Sequence, residues 1–427
     1  MQAFIGPSFN LPLLWAADLL EWPILKILQN IEQIDILPGD REKLRSLRDK
    51  RILMALNHPS TAEPPVTLAI SRVMGSRFNF MASRQVFDWT GGLIGEVIRQ
   101  VGAYSVIAGI ADRESLKMSR EILRKDKGKL VIYPEGEPTS GENDSLMPFQ
   151  PGAVQLGFWG LDDARKDDPN ASLVILPAAV KYTIRSNANE VHKTLHTHIG
   201  KLEKILKIDP GPKNLLRRFL TVGRVLLEKA EQEYQIPLES SRGFDYRIGR
   251  LRHKILDGIA ERFNLKNFDA GGDAIQKLRQ VISAYELIVL NYPDPSVPDL
   301  SEDDRDWMLR EILAAFDFIV IKKDYLISNP TPERFFEWLT RFETYVYRRK
   351  PRMIGGEPSI LPRTAHVRFA PAFDLADYMG DYKKNKKATV EKVTERIRKD
   401  IAGLLHGMED LTSSIVEPFD VGEDAID

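Results

Sequence analysis

Between Arg51 and Tyr182 short apolar runs alternate with stretches of helical spacing, and this alternation constrains the fold more than any other feature of the chain. Arg51–Leu56, Asn79–Ala82, Gly102–Val106, Lys129–Tyr133 and Leu173–Leu176 read as strands, the last closed by Pro177. Short apolar runs bounded by Gly, Pro or Asn fit strands buried on both faces. Between them, Ala62–Met74 repeats Val66, Ala69, Ile70 and Val73 at helical spacing, and Asp112–Lys125 does so with Leu116, Ile122 and Leu123. Strands that alternate with helices pair side by side under a cover of helices, so the expectation is an α/β layered domain with a central mixed sheet.

After about Arg185 the pattern changes to long helical periods, among them Asn214–Tyr234, Asp245–Phe263 and Ala274–Leu290. Later helices are expected to start at Ser301 and at Thr331, the latter with Pro332 in the first helical position. Strand-like alternation returns at Thr364–Phe369, followed by a helix over Thr389–Leu405. The segments expected are N-terminal apolar or amphipathic helices over 1–40, an α/β core over 41–189, and a helical insertion or subdomain over 190–355. The final strand and helix of the core would take 356–408, and an acidic, disordered tail 409–427.

The chain has no cysteine, which excludes disulfides, thiolate nucleophiles and Cys-rich zinc sites and fits a reducing cytosol. Its formal net charge of −1 gives no global field to attract nucleic acid. The N-terminus lacks a basic n-region and a small-residue cleavage site, so no secretory signal is expected. Leu11–Ile31 is apolar but carries Asp18, Glu21 and Lys26 and is broken by Pro12 and Pro23, which argues against a membrane span. With Trp15 and Trp22 it can lie flat on a lipid interface, or it can pack as a helix pair on the domain's own core. Lys383, Lys384, Lys386, Lys387 and Arg348-Arg349-Lys350 can likewise touch anionic headgroups or form solvated surface.

The chemistry gathers at strand ends. Asn57-His58-Pro-Ser-Thr-Ala-Glu63 sets a histidine and a carboxylate five positions apart at a strand-to-helix junction, where ligands bind in layered α/β folds. A carboxylate just over one helical turn away can hold one imidazole nitrogen and leave the other to take a proton. Tyr133-Pro-Glu-Gly136-Glu137 follows another strand, with Gly136 letting a substrate approach the backbone. Leu176-Pro177-Ala178-Ala179 ends a third, so a single shared cleft is expected. His192, His196 and His198 lie close in sequence but read as surface histidines, and no metal site is expected. A serine hydrolase is disfavoured because the chain has no Gly-x-Ser-x-Gly elbow and Ser60 lies too close to His58.

Taken singly these signals specify little; in this order and spacing they resemble the glycerol-3-phosphate and lysophosphatidate acyltransferases. Asn57-His58-x4-Glu63 is similar to the family's His-x4-Asp motif, Gly102–Val106 to its second motif, Ile132-Tyr-Pro-Glu-Gly136 to its third and Val174-Ile-Leu-Pro177 to its fourth. The resemblance covers about 45–185 and resumes at 364–405. It implies an enzyme like 1-acylglycerol-3-phosphate O-acyltransferase, in phospholipid biosynthesis, with no cofactor beyond acyl-CoA or acyl carrier protein as co-substrate. His58 would be the general base, Glu63 its orienting partner, and Glu135 and Gly136 would shape the acceptor site. The partners implied are a lipid acceptor, the acyl donor and a membrane surface, with no nucleic acid. The protein is expected to be cytoplasmic and peripheral on the inner face of a membrane.

The chain departs from the family pattern in three places. Glu63 replaces the usual aspartate; the arginine expected after the second motif is absent, with Ala108 in its place; and Gly136-Glu137-Pro138 replaces Gly-Thr-Arg. The missing arginines are those the family associates with the acceptor's phosphate. Either Arg84, Arg113 or Lys181 substitutes for them, or the acceptor has a zwitterionic or uncharged head that suits Glu137 better. A lipid-binding or scaffolding protein that kept the fold without the activity is the alternative.

Overall fold

A computed structural model describes residues 4–107, 110, 112–139, 144–239, 242–348 and 359–419. Ala108, Arg349, Lys350 and the last eight residues of the acidic tail lie outside them. The fold is α/β, with a mixed eight-stranded sheet and an additional helical region.

The strands are β1 (Ile31–Ile36), β2 (Ile52–Leu56), β3 (Asn79–Ser83), β4 (Ala103–Val106), β5 (Lys129–Ile132), β6 (Val174–Ile184), β7 (Arg363–Phe369) and β8 (Phe373–Asp374). Their order is β1-β7-β6-β2-β5-β3-β4, and β8 pairs with β6. From β6 through β4 the pairing is parallel throughout, so these strands deliver their C-terminal ends to one edge of the sheet. β2 is the central strand, and every one of its residues is buried.

Two apolar layers flank the sheet. One is built on Leu53, Leu130 and Ile175 with helices Arg113–Arg124, Gly152–Asp167 and Lys386–His406. The other is built on Met54, Val131 and Leu176 with helix Glu63–Met74 and with Leu14 and Leu25 of helices Leu11–Leu19 and Glu21–Gln29. Alternation along each strand therefore sends successive residues to opposite layers.

Two expectations need correction here. β6 does not stop at Pro177 but runs on to Ile184. Proline lacks an N–H, yet its carbonyl accepts from Ala370 N at 3.0 Å, just past the end of β7 and before β8. The missing donor thus falls at the seam between two neighbours, where no ladder bond is lost. Strands β1 and β8 were not read from the sequence, and β1 falls inside the segment expected to be helical.

The chain divides into two compact units, Met1–Thr183 with Pro358–Asp410, and Ile184–Glu357 with Leu411–Asp427. The first holds the sheet. The second is helical among its described residues, apart from the last residue of β6, with long helices such as Leu215–Glu233, Phe244–Phe263 and Ala274–Val289. Ser301 and Thr331 cap their helices by accepting from Asp304 N and Arg334 N. The start of the tail is tied to this unit: Thr412 Oγ1 donates to Glu333 at 2.7 Å, and Ile415 N to the Pro330 carbonyl at 3.0 Å.

Candidate active site

The site begins where β2 leaves the ladder. The last paired residue is Leu56, opposite Ala178. Asn57 then continues the pairing with its side chain, accepting from Val180 N at 2.7 Å and donating to the Val180 carbonyl at 2.9 Å. This pins the backbone so that His58 emerges at the sheet's C-terminal edge. Five residues on, helix Glu63–Met74 starts with Glu63, Pro64 and Pro65, prolines being tolerated where a helix has no use for its first N–H groups.

Glu63 is fully buried and accepts four hydrogen bonds. Its Oε2 takes His58 Nδ1 at 2.7 Å and Ser60 N at 2.9 Å; its Oε1 takes Ser60 Oγ at 2.9 Å and the Tyr182 hydroxyl at 2.5 Å. Such a set of donors is what a carboxylate needs when it leaves water. With Nδ1 donating to Glu63, the lone pair of the neutral ring lies on Nε2, which has no bonding partner among the described residues. The ring stacks on Tyr133, centroids 4.4 Å apart at 24°, and Tyr133 is fixed in turn by Thr67 at 3.2 Å. Burial raises the Tyr133 hydroxyl, and burial followed by the charge of Glu63 raises that of Tyr182, so both remain protonated donors.

Glu135 reaches the same place by another route. Its Oε1 accepts from His58 N and its Oε2 from Met147 N, each at 2.7 Å, and the residue is buried. Burial pushes its carboxyl up to about 7, against the pull of those two N–H donors. Thr139 N also donates to the His58 carbonyl at 2.8 Å. The Pro-Glu-Gly turn therefore clamps the backbone of His58. Gly136 has φ +86°, and a Cβ there would lie 2.0 Å from Gln150 Nε2. The positive φ is what requires glycine, and Gln150 fills the space beside it.

The remaining expected residues have other surroundings, apart from Glu137, which lies between two residues bonded to the His58 backbone, Glu135 and Thr139. Arg84 begins the turn after β3 and is buried, its Nη1 2.8 Å from Asp88. Arg113 is exposed on the first turn of its helix. Lys181 is also buried and points to the opposite side of β6 from Tyr182, where its Nζ meets Asp144 at 3.0 Å. Glu137 lies two residues past Glu135, partly buried. The third decorated strand end does not exist, because β6 continues past Pro177; its contribution to the site is Tyr182. Neither Tyr182 nor Ser60 was singled out from sequence as part of the site.

Of the three clustered histidines, His198 bonds Glu343 at 2.6 Å and His196 bonds Arg218 at 2.6 Å. The carboxylate that sequence spacing did not reveal comes from a helix 145 positions away. Among the described residues no group of three or more His, Cys, Asp or Glu is arranged to hold a metal.

Residues 32–180 match the model of the acyltransferase family, the family of glycerophospholipid acyltransferases such as lysophosphatidate acyltransferases. The chain carries an acyltransferase domain. A comparison with curated proteins finds no match. The acyltransferase domain lies within the first unit and contains His58, Glu63 and Glu135. It supports acyltransferase activity in general.

Proposed function

We propose that this acyltransferase domain moves a fatty acyl group from acyl-CoA or acyl carrier protein to a glycerolipid hydroxyl, with His58 as general base. The observation that carries the reading is the buried Glu63 on Nδ1 with Nε2 left open. In this mechanism Nε2 takes the acceptor's hydroxyl proton as its oxygen attacks the thioester carbonyl carbon. The tetrahedral oxyanion collapses, the C–S bond breaks, and the leaving thiolate recovers the proton from the imidazolium. Glu63 stabilises that imidazolium, and no acyl-enzyme forms. The products are the acylated lipid and a free thiol.

The acceptor we propose lacks a phosphate monoester. Arg84 and Lys181, two of the cations offered as substitutes for the missing arginines, each have a carboxylate within 3.0 Å. The stretch from Pro134 to Pro151 contains four acidic residues and no Lys or Arg. A neutral or zwitterionic acceptor meets less repulsion there than a dianion does.

Peripheral attachment to the inner face of a membrane completes the proposal. Trp15, Leu19, Ile27 and Leu93 are 67%, 83%, 79% and 70% exposed. The first two helices bury Leu14 and Leu25 on the core and turn these other side chains outward, so one face packs and the other is open to lipid. Leu93 stands on helix Leu93–Gln100, whose end is joined to the chain before the first helix by Ser8 N to Arg99 O and Asn10 N to Gln100 O, both 2.9 Å. Among the described residues no helix is long and apolar enough to cross a membrane.

The test supplies purified protein with acyl-CoA or acylated carrier protein and an acceptor panel of lysophosphatidate, monoacylglycerol, lysophosphatidylcholine and lysophosphatidylethanolamine, with products read by mass spectrometry. Acylation of the neutral and zwitterionic acceptors is expected. Lysophosphatidate as the preferred acceptor would overturn the headgroup reading, and no acylated product with any pair would favour a non-catalytic lipid-binding role.

A further inference from the structure

Glu63 is one methylene longer than an aspartate, and a longer side chain has one more torsion through which its carboxylate can turn away from His58. Its Oε2 is held by groups nearby in sequence, His58 Nδ1 and Ser60 N. Its Oε1 is held by Ser60 Oγ and by a residue from a different strand, Tyr182 of β6. Tyr182 is itself locked: it is 1% exposed, and the guanidinium of Arg363 on β7 lies 4.8 Å from its ring centroid. Arg363 is fully buried and donates from Nη2 to the Gln29 carbonyl at 2.7 Å. The path from β7 through β6 to the helix start is thus a run of buried, bonded groups ending on the carboxylate.

We infer that Tyr182 is a positioning residue for the proposed acyl transfer: its hydroxyl, on one oxygen of the Glu63 carboxylate, fixes the orientation of the carboxylate plane so that the other oxygen stays on His58 Nδ1. This rests on the general-base reading of His58, and it assigns β6 a role in the site that the strand's apolar sequence does not display. Tyr182 touches neither substrate nor the reacting atoms and acts through Glu63. The longer carboxylate and the distant hydroxyl work as a pair, in which Tyr182 supplies the orientation that a shorter side chain would hold with fewer torsions.

Tyr182→Phe removes the hydroxyl and keeps the ring under Arg363. Losing one hydrogen bond to a charged group is expected to lower kcat about 10-fold, with KM for acyl donor and acceptor unchanged. In a Glu63→Gln background the same substitution should cost nothing further, because the group it orients is gone. A second readout needs no substrate. The His58 Nδ1 proton, hydrogen-bonded to a carboxylate, gives a far-downfield proton resonance, assigned by its loss in His58→Ala. That resonance should shift or broaden in Tyr182→Phe as the carboxylate gains freedom. A fall in melting temperature with wild-type kcat and an unmoved resonance would overturn the inference, as would a kcat loss that adds fully to that of Glu63→Gln. If the wild type shows no turnover the acyl-transfer reading fails, and the resonance alone then decides whether Tyr182 orients Glu63.

Discussion

Glu63 and Glu135 both lose their water at the same strand ends, and their partners give them different work. Glu63 is met by donors from His58, Ser60 and Tyr182, side chains included, and is the carboxylate proposed to orient the imidazole. Glu135 accepts from two backbone N–H groups, and burial drives its carboxyl from an ordinary 4.5 to about 7. A carboxyl whose folded value lies above its unfolded one binds more protons when folded. Its contribution is therefore complete below about 4.5, is lost as pH rises toward 7, and is constant beyond. The loss is about 3.5 kcal/mol at most, since each pH unit of displacement is worth about 1.4 kcal/mol. Denaturant unfolding of wild type and Glu135→Gln at pH 5 and pH 8 checks this. The stability advantage of the wild type should shrink at the higher pH, and a difference that does not change with pH would contradict it. At this scale the spacing of His58 and Glu63 was legible because a strand end followed by a helix start brings positions five apart together. The clamp made by Glu135 was not, because backbone amides carry no signature in a sequence.

Elements enter through the way β2 ends. A central strand must release its chain at the sheet edge without leaving buried amide groups unbonded, and Asn57 does this by pairing both polar groups of Val180. Asn57→Ala should cost about 1–3 kcal/mol of stability, the penalty for buried polar groups left without partners, measurable by denaturant titration. Activity should fall with it, because His58 is the next residue. β2, β5 and β6 were readable as apolar runs because they are interior and buried. β1 escaped because it is an edge strand carrying Glu32, Gln33 and Asp35, where charge is tolerated and alternation blurs. Asp35 is in turn bonded to His366 and Arg368 of β7, a pairing only the fold brings about. Proline at 177 reads as a stop for the same kind of reason: sequence gives the missing N–H, and only topology says that it faces a seam.

For the whole molecule, the first unit carries the acyltransferase domain and the exposed apolar face of helices Leu11–Leu19, Glu21–Gln29 and Leu93–Gln100. Burying such side chains in lipid gains about 25 cal/mol per Å², so a few of them decide whether the protein stays on a membrane. The triple variant Trp15→Glu, Leu19→Glu and Leu93→Glu should stop floating with vesicles in a density gradient, while its melting temperature stays within a few degrees of wild type because those side chains are exposed. Flotation unchanged by the three charges would remove this face from the membrane proposal. The second unit was legible as helical from its periodicity and caps, and the tie of the tail's first residues to it was not, because it rests on single bonds such as that of Thr412 to Glu333. The central claim remains chemical, that His58 takes the acceptor's proton. Its most direct measurement is acceptor-dependent thiol release from a long-chain acyl thioester by wild type and His58→Ala at equal concentration, with folding of both checked by thermal unfolding. A fall of at least about 100-fold in kcat is expected for a variant that still folds, the scale of a lost general base. A His58→Ala protein that releases thiol at the wild-type rate would contradict it.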